Sequence, residues 1–214
     1  MQRRAFTLLL AGLALAAGSA FGQIQLAKGK DYVMVDPAQP TEGGGKVEVI
    51  EFFWYGCGHC FKFEPTLVKW AQALPRDVVF KRVPAVPNDA WGQTAVIFYT
   101  LEAMGLLEKM HQKVFDAIHL DNVIITNRKV RDEWLAKNGV DPIKFTEVEK
   151  SFAVQSKLAR AKQLTAAYKI DGVPMMVVNG KYLTSLGHAG GPDRLLQVID
   201  GLVAQSRKET VAQK

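Results

Sequence analysis

An α/β fold interrupted by a block of helices is what this sequence predicts, and three observations predict it. The run Val47-Glu48-Val49-Ile50-Glu51-Phe52-Phe53 is β-branched and aromatic, follows Gly43-Gly44-Gly45, and reads as a buried strand leading directly into a helix. A second apolar run, Val173 to Val178, ends at Asn179-Gly180 and resumes at Lys181-Tyr182-Leu183, the pattern of an antiparallel hairpin. The long stretch between them reads as helices. A chain of 214 residues has room for one core, or one core carrying an insertion.

Taken in order, the first 22 residues read as an export signal: Arg3 and Arg4, an apolar stretch from Ala5 to Ala17, then small residues up to Gly22 before Gln23. The stretch is apolar on every face, unlike an amphipathic core helix, and Arg3-Arg4 also permits a twin-arginine route. Its removal takes away two arginines and no acid, so the surplus falls from +6 to 25 basic against 21 acidic residues. That surplus is spread along the chain, with a modest cluster at Arg207-Lys208, which argues against nucleic-acid binding. With 48% hydrophobic and 22% charged residues, and no apolar run of about 18 beyond the N-terminus, the mature chain should be a soluble globular protein. Export would bring its cysteines into an oxidising compartment.

Those cysteines, Cys57 and Cys60, are the only two in the chain. A disulfide between them would close almost no loop, so it is a poor staple. A structural zinc site needs about four ligands, and His59, His111, His119 and His188 form no second cluster of metal-ligand spacing. Redox chemistry fits better. The helix expected from about Cys57 to Leu74, with Phe61, Leu67, Val68, Ala71 and Leu74 inward, puts Cys57 at its N-terminus. There, free backbone N–H groups and the dipole favour a thiolate, and a protonated His59 would add to this. Cys60, one turn in, can attack a mixed disulfide formed at Cys57. Pro65 should bend this helix without ending it. Glu51 sits inside the strand, six residues before Cys57, where alternation can aim it at the redox helix and burial would raise its pKa. Lys81 or Arg82, on the next strand, could pair with it.

In the helical stretch, Trp91, Ala95, Phe98 and Leu101 recur at helical spacing, as do Met110, Val114, Phe115 and Ile118. Asp141-Pro142 marks a helix start, and Phe145, Val148, Phe152 and Ala159 continue the apolar pattern, the aromatics as core positions. Pro174 opens the late strand, a position where a missing N–H is tolerated.

A CxxC at a strand-to-helix junction, then Val173-Pro174 opening a late strand followed by Asn179-Gly180-Lys181, resembles the thioredoxin fold. More closely, EFFWYGCGHCFKFEP with GVPMMVVNGKY downstream, and helices between, resembles the exported DsbA-type thiol:disulfide oxidoreductases across the whole mature chain. The resemblance implies a thioredoxin fold with an inserted all-helical domain: residues 23–87 and 165–214 as its two parts, and 88–164 as the insertion. It implies a cis Pro174 against the cysteines, Val173 pairing its backbone with substrate, and Glu51 as a buried proton acceptor for Cys60. It also implies a periplasmic enzyme with no cofactor beyond the Cys57–Cys60 disulfide, donating that disulfide to newly exported proteins with free thiols. A DsbB-type, quinone-linked membrane partner would reoxidise it. A monomer is expected. Substrate contacts are expected near Val173, Pro174, Trp54 and Tyr55. Family members commonly carry Pro-His between the cysteines; Gly58-His59 here is the pair of protein disulfide isomerase.

Three rivals make different demands. An exported reductase or isomerase would show a lower potential, and the isomerase would need a dimerisation domain longer than residues 23–45 allow. A soft-metal carrier would purify with zinc or copper(I). A peptide-binding chaperone would tolerate loss of Cys57.

Overall fold

The computed structural model describes residues 25–212; the export signal read at residues 1–22 lies outside them. In chain order the described elements are β1 (Val33–Met34), β2 (Val47–Phe53), α1 (Gly58–Gln72), β3 (Val78–Pro84), α2 (Asp89–Ala103), α3 (Leu107–His119), α4 (Arg128–Lys137), α5 (Pro142–Glu149), α6 (Phe152–Ala167), β4 (Met175–Val178), β5 (Tyr182–Ser185), α7 (Leu186–Ala189) and α8 (Pro192–Ala212). The strands form one sheet in the order β1-β5-β4-β2-β3, with β3 parallel to β2 and β4 antiparallel to it. The strand run and the hairpin fall where the sequence puts them. Asn179 and Gly180 both take positive φ, as this turn requires. Gly180 has a further reason to be glycine: a Cβ there would lie 2.1 Å from the Gln39 carbonyl oxygen.

The central strand β2 is buried along its whole length, and its two faces serve two cores. Val47 and Val49 join Phe63 and Leu67 of α1 and Leu195, Val198, Ile199 and Leu202 of α8. Ile50 and Phe52 turn to the other side, where Phe52 packs on Tyr168, while Phe53 at the strand's end packs on Phe98 and Phe115 of the helical segment; all belong to the second core. By alternation Glu51 lies on the α1 face, opposite Arg82 of β3 in the parallel register and Met176 of β4.

Two details of the helical reading change. The buried stripe of α1 is Cys60, Phe63, Glu64 and Leu67, while Phe61, Val68, Ala71 and Leu74 are only half-buried. The helix is rotated from its apolar pattern so that a carboxylate, Glu64, faces inward. It runs on through Pro65, as expected. The other change is at Phe152, which is 88% exposed and not a core residue. The chain breaks at Lys150-Ser151, Ser151 caps the new helix α6, and the buried face restarts as Val154, Ala161 and Thr165. A periodic pattern read across that break loses its phase. Asp141 does cap α5 as read, its carboxylate accepting from the amides of Ile143 and Lys144 with Pro142 in the first turn. Among the described residues no helix is long and apolar enough to cross a membrane.

Candidate active site

The chain leaves β2 through Trp54-Tyr55-Gly56, and the Cys57 amide donates to the Trp54 carbonyl at 2.9 Å. Gly56 is needed there because the Trp54 indole folds back over it, so a Cβ would sit 2.4 Å from the ring. The indole then stacks on Trp91 of α2, with centroids 4.4 Å apart and planes within 4°. Tyr55 is fully buried, which removes it from the substrate-facing surface expected beside Trp54.

Cys57 caps α1. Its backbone is extended and its sulfur accepts from the Cys60 amide at 3.4 Å, so the sulfur occupies the place where an N-cap oxygen ordinarily satisfies a free N–H. Both cysteines are free thiols; Cys57 is partly exposed and Cys60 fully buried. In its thiol form Cys57 donates to the carbonyl of Val173 at 3.4 Å, and the Val173-Pro174 peptide bond is cis. Residues 116 apart in the chain therefore meet at one sulfur.

The two thiols titrate in opposite directions. That of Cys57 is lowered from 9.0 to about 6, mostly by the hydrogen bond from the Cys60 side chain and then by the amides of Cys60 and His59, against the opposing effect of its burial. The His59 side chain, exposed to solvent, is the smallest of these influences. Burial drives the Cys60 thiol far upward, and the charges of Glu51 and of Cys57 push the same way.

Beneath α1 lies a buried charged layer. Glu51 is 1% exposed, and burial raises its carboxyl from 4.5 to about 8 in spite of Arg82. Arg82 Nε lies 3.2 Å from Glu51 Oε2, but the N–H is not aimed at that oxygen, so the two lie in contact without a hydrogen bond. Arg82 Nη2 does donate, at 2.8 Å, to Glu64 Oε1. Lys81, the other cation considered, points to the opposite face of the sheet and pairs with Glu48 at 2.7 Å. Glu64, His111 and His119 did not emerge from the sequence as site residues. One signal was available: Glu64 is four residues after Cys60, on the same face of one helix. His119 reaches the Tyr55 carbonyl oxygen with Nε2 at 2.8 Å and stacks on Phe61. Among the described residues no cluster of three or more His, Cys, Asp or Glu has the arrangement of a metal site.

This geometry suits thiol exchange: an exposed sulfur that ionises near neutral pH, a buried partner sulfur one turn away, a carboxyl that titrates near neutral pH on the strand below, and a backbone carbonyl flanking the first sulfur. Comparison with known proteins agrees. The model of the DSBA-like thioredoxin domain matches residues 82–200. The thiol:disulfide interchange protein DsbA of Azotobacter vinelandii is 43% identical over 211 residues, covering 97% of this chain and 99% of that protein. DsbA of Pseudomonas aeruginosa PAO1 is 43% identical over 197 residues, covering 90% and 93%. The crystal structure of Pseudomonas aeruginosa DsbA superposes with a TM-score of 0.83 at 42% identity, covering 88% of this chain and 97% of that one. Neisseria meningitidis NmDsbA1 gives 0.76 at 27% identity, covering 86% and 95%.

Proposed function

Because the chain belongs to the DsbA-like thioredoxin family, we propose that it is an exported dithiol oxidase in which Cys57 exchanges with substrate, Cys60 resolves, and Glu51 handles the proton of Cys60. A substrate thiolate attacks Cys57 of the Cys57–Cys60 disulfide. That bond breaks, Cys60 leaves with the electron pair, and Glu51, protonated at neutral pH, supplies its proton. A second substrate thiolate then attacks the substrate sulfur of the mixed disulfide, and Cys57 departs as a thiolate. The substrate has gained one disulfide and this chain holds the two electrons as its dithiol. In reoxidation the steps reverse, and Glu51 accepts the proton as the Cys60 sulfur attacks.

The observation that carries this reading is the low pKa of Cys57 at a helix N-terminus beside a Cys60 held in its thiol form. A stabilised thiolate favours the dithiol, and so makes the disulfide the stronger oxidant. Val173 and Pro174, flanking the sulfur, supply the backbone edge for an extended substrate peptide, and Trp54 with Trp91 supplies an apolar margin. His59 has a minor electrostatic part. Substrates are unfolded or newly exported proteins with free thiols, the compartment is the periplasm, and reoxidation falls to a DsbB-type, quinone-linked membrane partner. The chain acts as a monomer, and it needs no cofactor beyond its own disulfide.

The test is to titrate the Cys57 thiolate by its ultraviolet absorbance and to equilibrate the same protein with glutathione. The reference scale runs from about −270 mV for thioredoxin through about −180 mV for protein disulfide isomerase to about −120 mV for DsbA, the family's own reference point, which sets the scale and not this chain's place on it. A pKa near 6 and a potential above about −200 mV are expected. A near-normal thiol with a potential close to about −270 mV would make the protein a reductase.

A further inference from the structure

The layer beneath α1 holds two carboxylates, Glu51 and Glu64, and one guanidinium, Arg82, within contact distance of both. A single buried cation cannot cheaply hold two ionised carboxylates, so one of them keeps a proton and the other the charge. Arg82 by itself touches both. The asymmetry comes from a fourth group. His111 of α3 is buried, with Nε2 3.5 Å from Glu64 Oε1 and Nδ1 2.7 Å from the Tyr55 hydroxyl.

The tautomer follows from these neighbours. If Nδ1 carried the proton, the bare lone pair of Nε2 would face the Glu64 carboxylate. The favourable arrangement has the Tyr55 hydroxyl donating to Nδ1 and the Nε2–H on the side of Glu64, where at 3.5 Å it makes no hydrogen bond and acts on the carboxylate as a nearby dipole. Phe53, Phe98, Phe115 and Tyr55 pack their rings against the imidazole at 5.2 to 5.8 Å, which disfavours the imidazolium. Burial accordingly lowers the His111 pKa. Lys69 and Glu108 are the other charged residues among those lining the cleft of about 730 Å³ that Glu64, Arg82 and His111 also line.

We propose that His111 is a positioning residue that decides which carboxylate keeps the proton: its Nε2–H, held in place by Tyr55, stabilises the Glu64 anion against Arg82 and leaves the proton to Glu51. This rests on Glu51 being the proton acceptor of Cys60, and it gives a reason for Glu51 to remain protonated at neutral pH although a guanidinium touches it. Without His111, Glu64 binds its proton more tightly, Arg82 is released toward Glu51, and Glu51 becomes a weaker base.

The experiment follows both carboxyls by 13C NMR in the oxidised mature protein, labelled at the glutamate side-chain carboxyls and assigned with Glu51→Gln and Glu64→Gln. In the unsubstituted protein Glu51 should titrate well above about 4.3 and Glu64 below it. His111→Leu should lower the proton affinity of Glu51 about tenfold and raise that of Glu64. His111→Gln, whose amide N–H can reach Glu64, should restore most of the difference. Tyr55→Phe keeps the ring, frees the tautomer, and should shift Glu51 in the same direction by about threefold, so it carries the test if His111→Leu does not fold. A high Glu51 midpoint that stays put in both His111→Leu and Tyr55→Phe overturns the role of His111 and leaves Glu51 as proton acceptor. An ordinary Glu51 midpoint in the unsubstituted protein overturns both.

Discussion

At the N-terminal edge of α1, Cys57 meets backbone N–H groups and the Val173 carbonyl, and its thiol titrates at about 6. One turn inward, Cys60 is buried in the apolar core within reach of the Glu51 charge, and its thiol is driven upward, first by that burial. Residue type, helix and sequence neighbourhood are shared. The difference lies in what each sulfur faces, and in the function proposed above it suits one to substrate and the other to proton-coupled resolution. Burial alone would raise both thiols; at Cys57 hydrogen-bond donors outweigh it.

The comparison breaks most completely if the exposed sulfur is removed. Cys57→Ser should abolish oxidation of a dithiol peptide, whereas Cys60→Ser, given glutathione disulfide, should still form and accumulate the Cys57–glutathione mixed disulfide with release of one glutathione thiol, visible by mass spectrometry. On the buried side, Glu51→Gln should slow reoxidation of the dithiol by glutathione disulfide about 10²-fold at pH 7, the usual size of a lost general base. An unchanged rate would move the proton path elsewhere.

Arg82→Met strands the buried Glu64 carboxylate and should cost about 3–5 kcal/mol in urea unfolding at neutral pH, since breaking a buried ion pair leaves its charge uncompensated. The two sides should also give opposite pH slopes. The Cys57 pKa is depressed on folding, so its contribution to the stability of the reduced protein is present above about 9 and lost as pH falls through about 6. Reduced protein should therefore gain about 1–2 kcal/mol over Cys57→Ser between those values, discounted because the sulfur is partly exposed. The Glu51 pKa is raised, so stability is present below about 4.5 and lost as pH rises through about 8; Glu51→Gln should flatten that loss. Unfolding curves at several pH values check both slopes. The smallest effect concerns the turn itself. Gly58 stands first in the helix with open space at its Cβ and an extended residue before it, so Gly58→Pro should add about 0.4–1 kcal/mol by stiffening the unfolded chain.

Local signals made much of this legible. The alternation of β2, the Asn179-Gly180 turn and the Asp141 cap each depend on a few adjacent residues, and each stands where it was read. Phe152 shows the limit: its helical phase holds within one helix, and the break at Lys150-Ser151 resets it. Glu64 shows another. A carboxylate on a helix is ordinarily read as a solvent-facing residue, and only Arg82 and His111, from a strand and a helix remote in the chain, make its burial tolerable.

By itself the sequence determined the paired thiols, their place at a strand-to-helix junction, the late Val173-Pro174 and the buried strand carrying Glu51, because spacing and periodicity encode neighbours within an element. Tertiary structure alone decided that Arg82 and not Lys81 meets Glu51, that Tyr55 turns inward, and that His111 reaches Glu64. The physical reason is that a pKa depends on charge, hydrogen bonding and dielectric within a few ångströms, and at this site those surroundings come from β2, α1, β3, α3 and the loop before β4, which only the packed fold brings together.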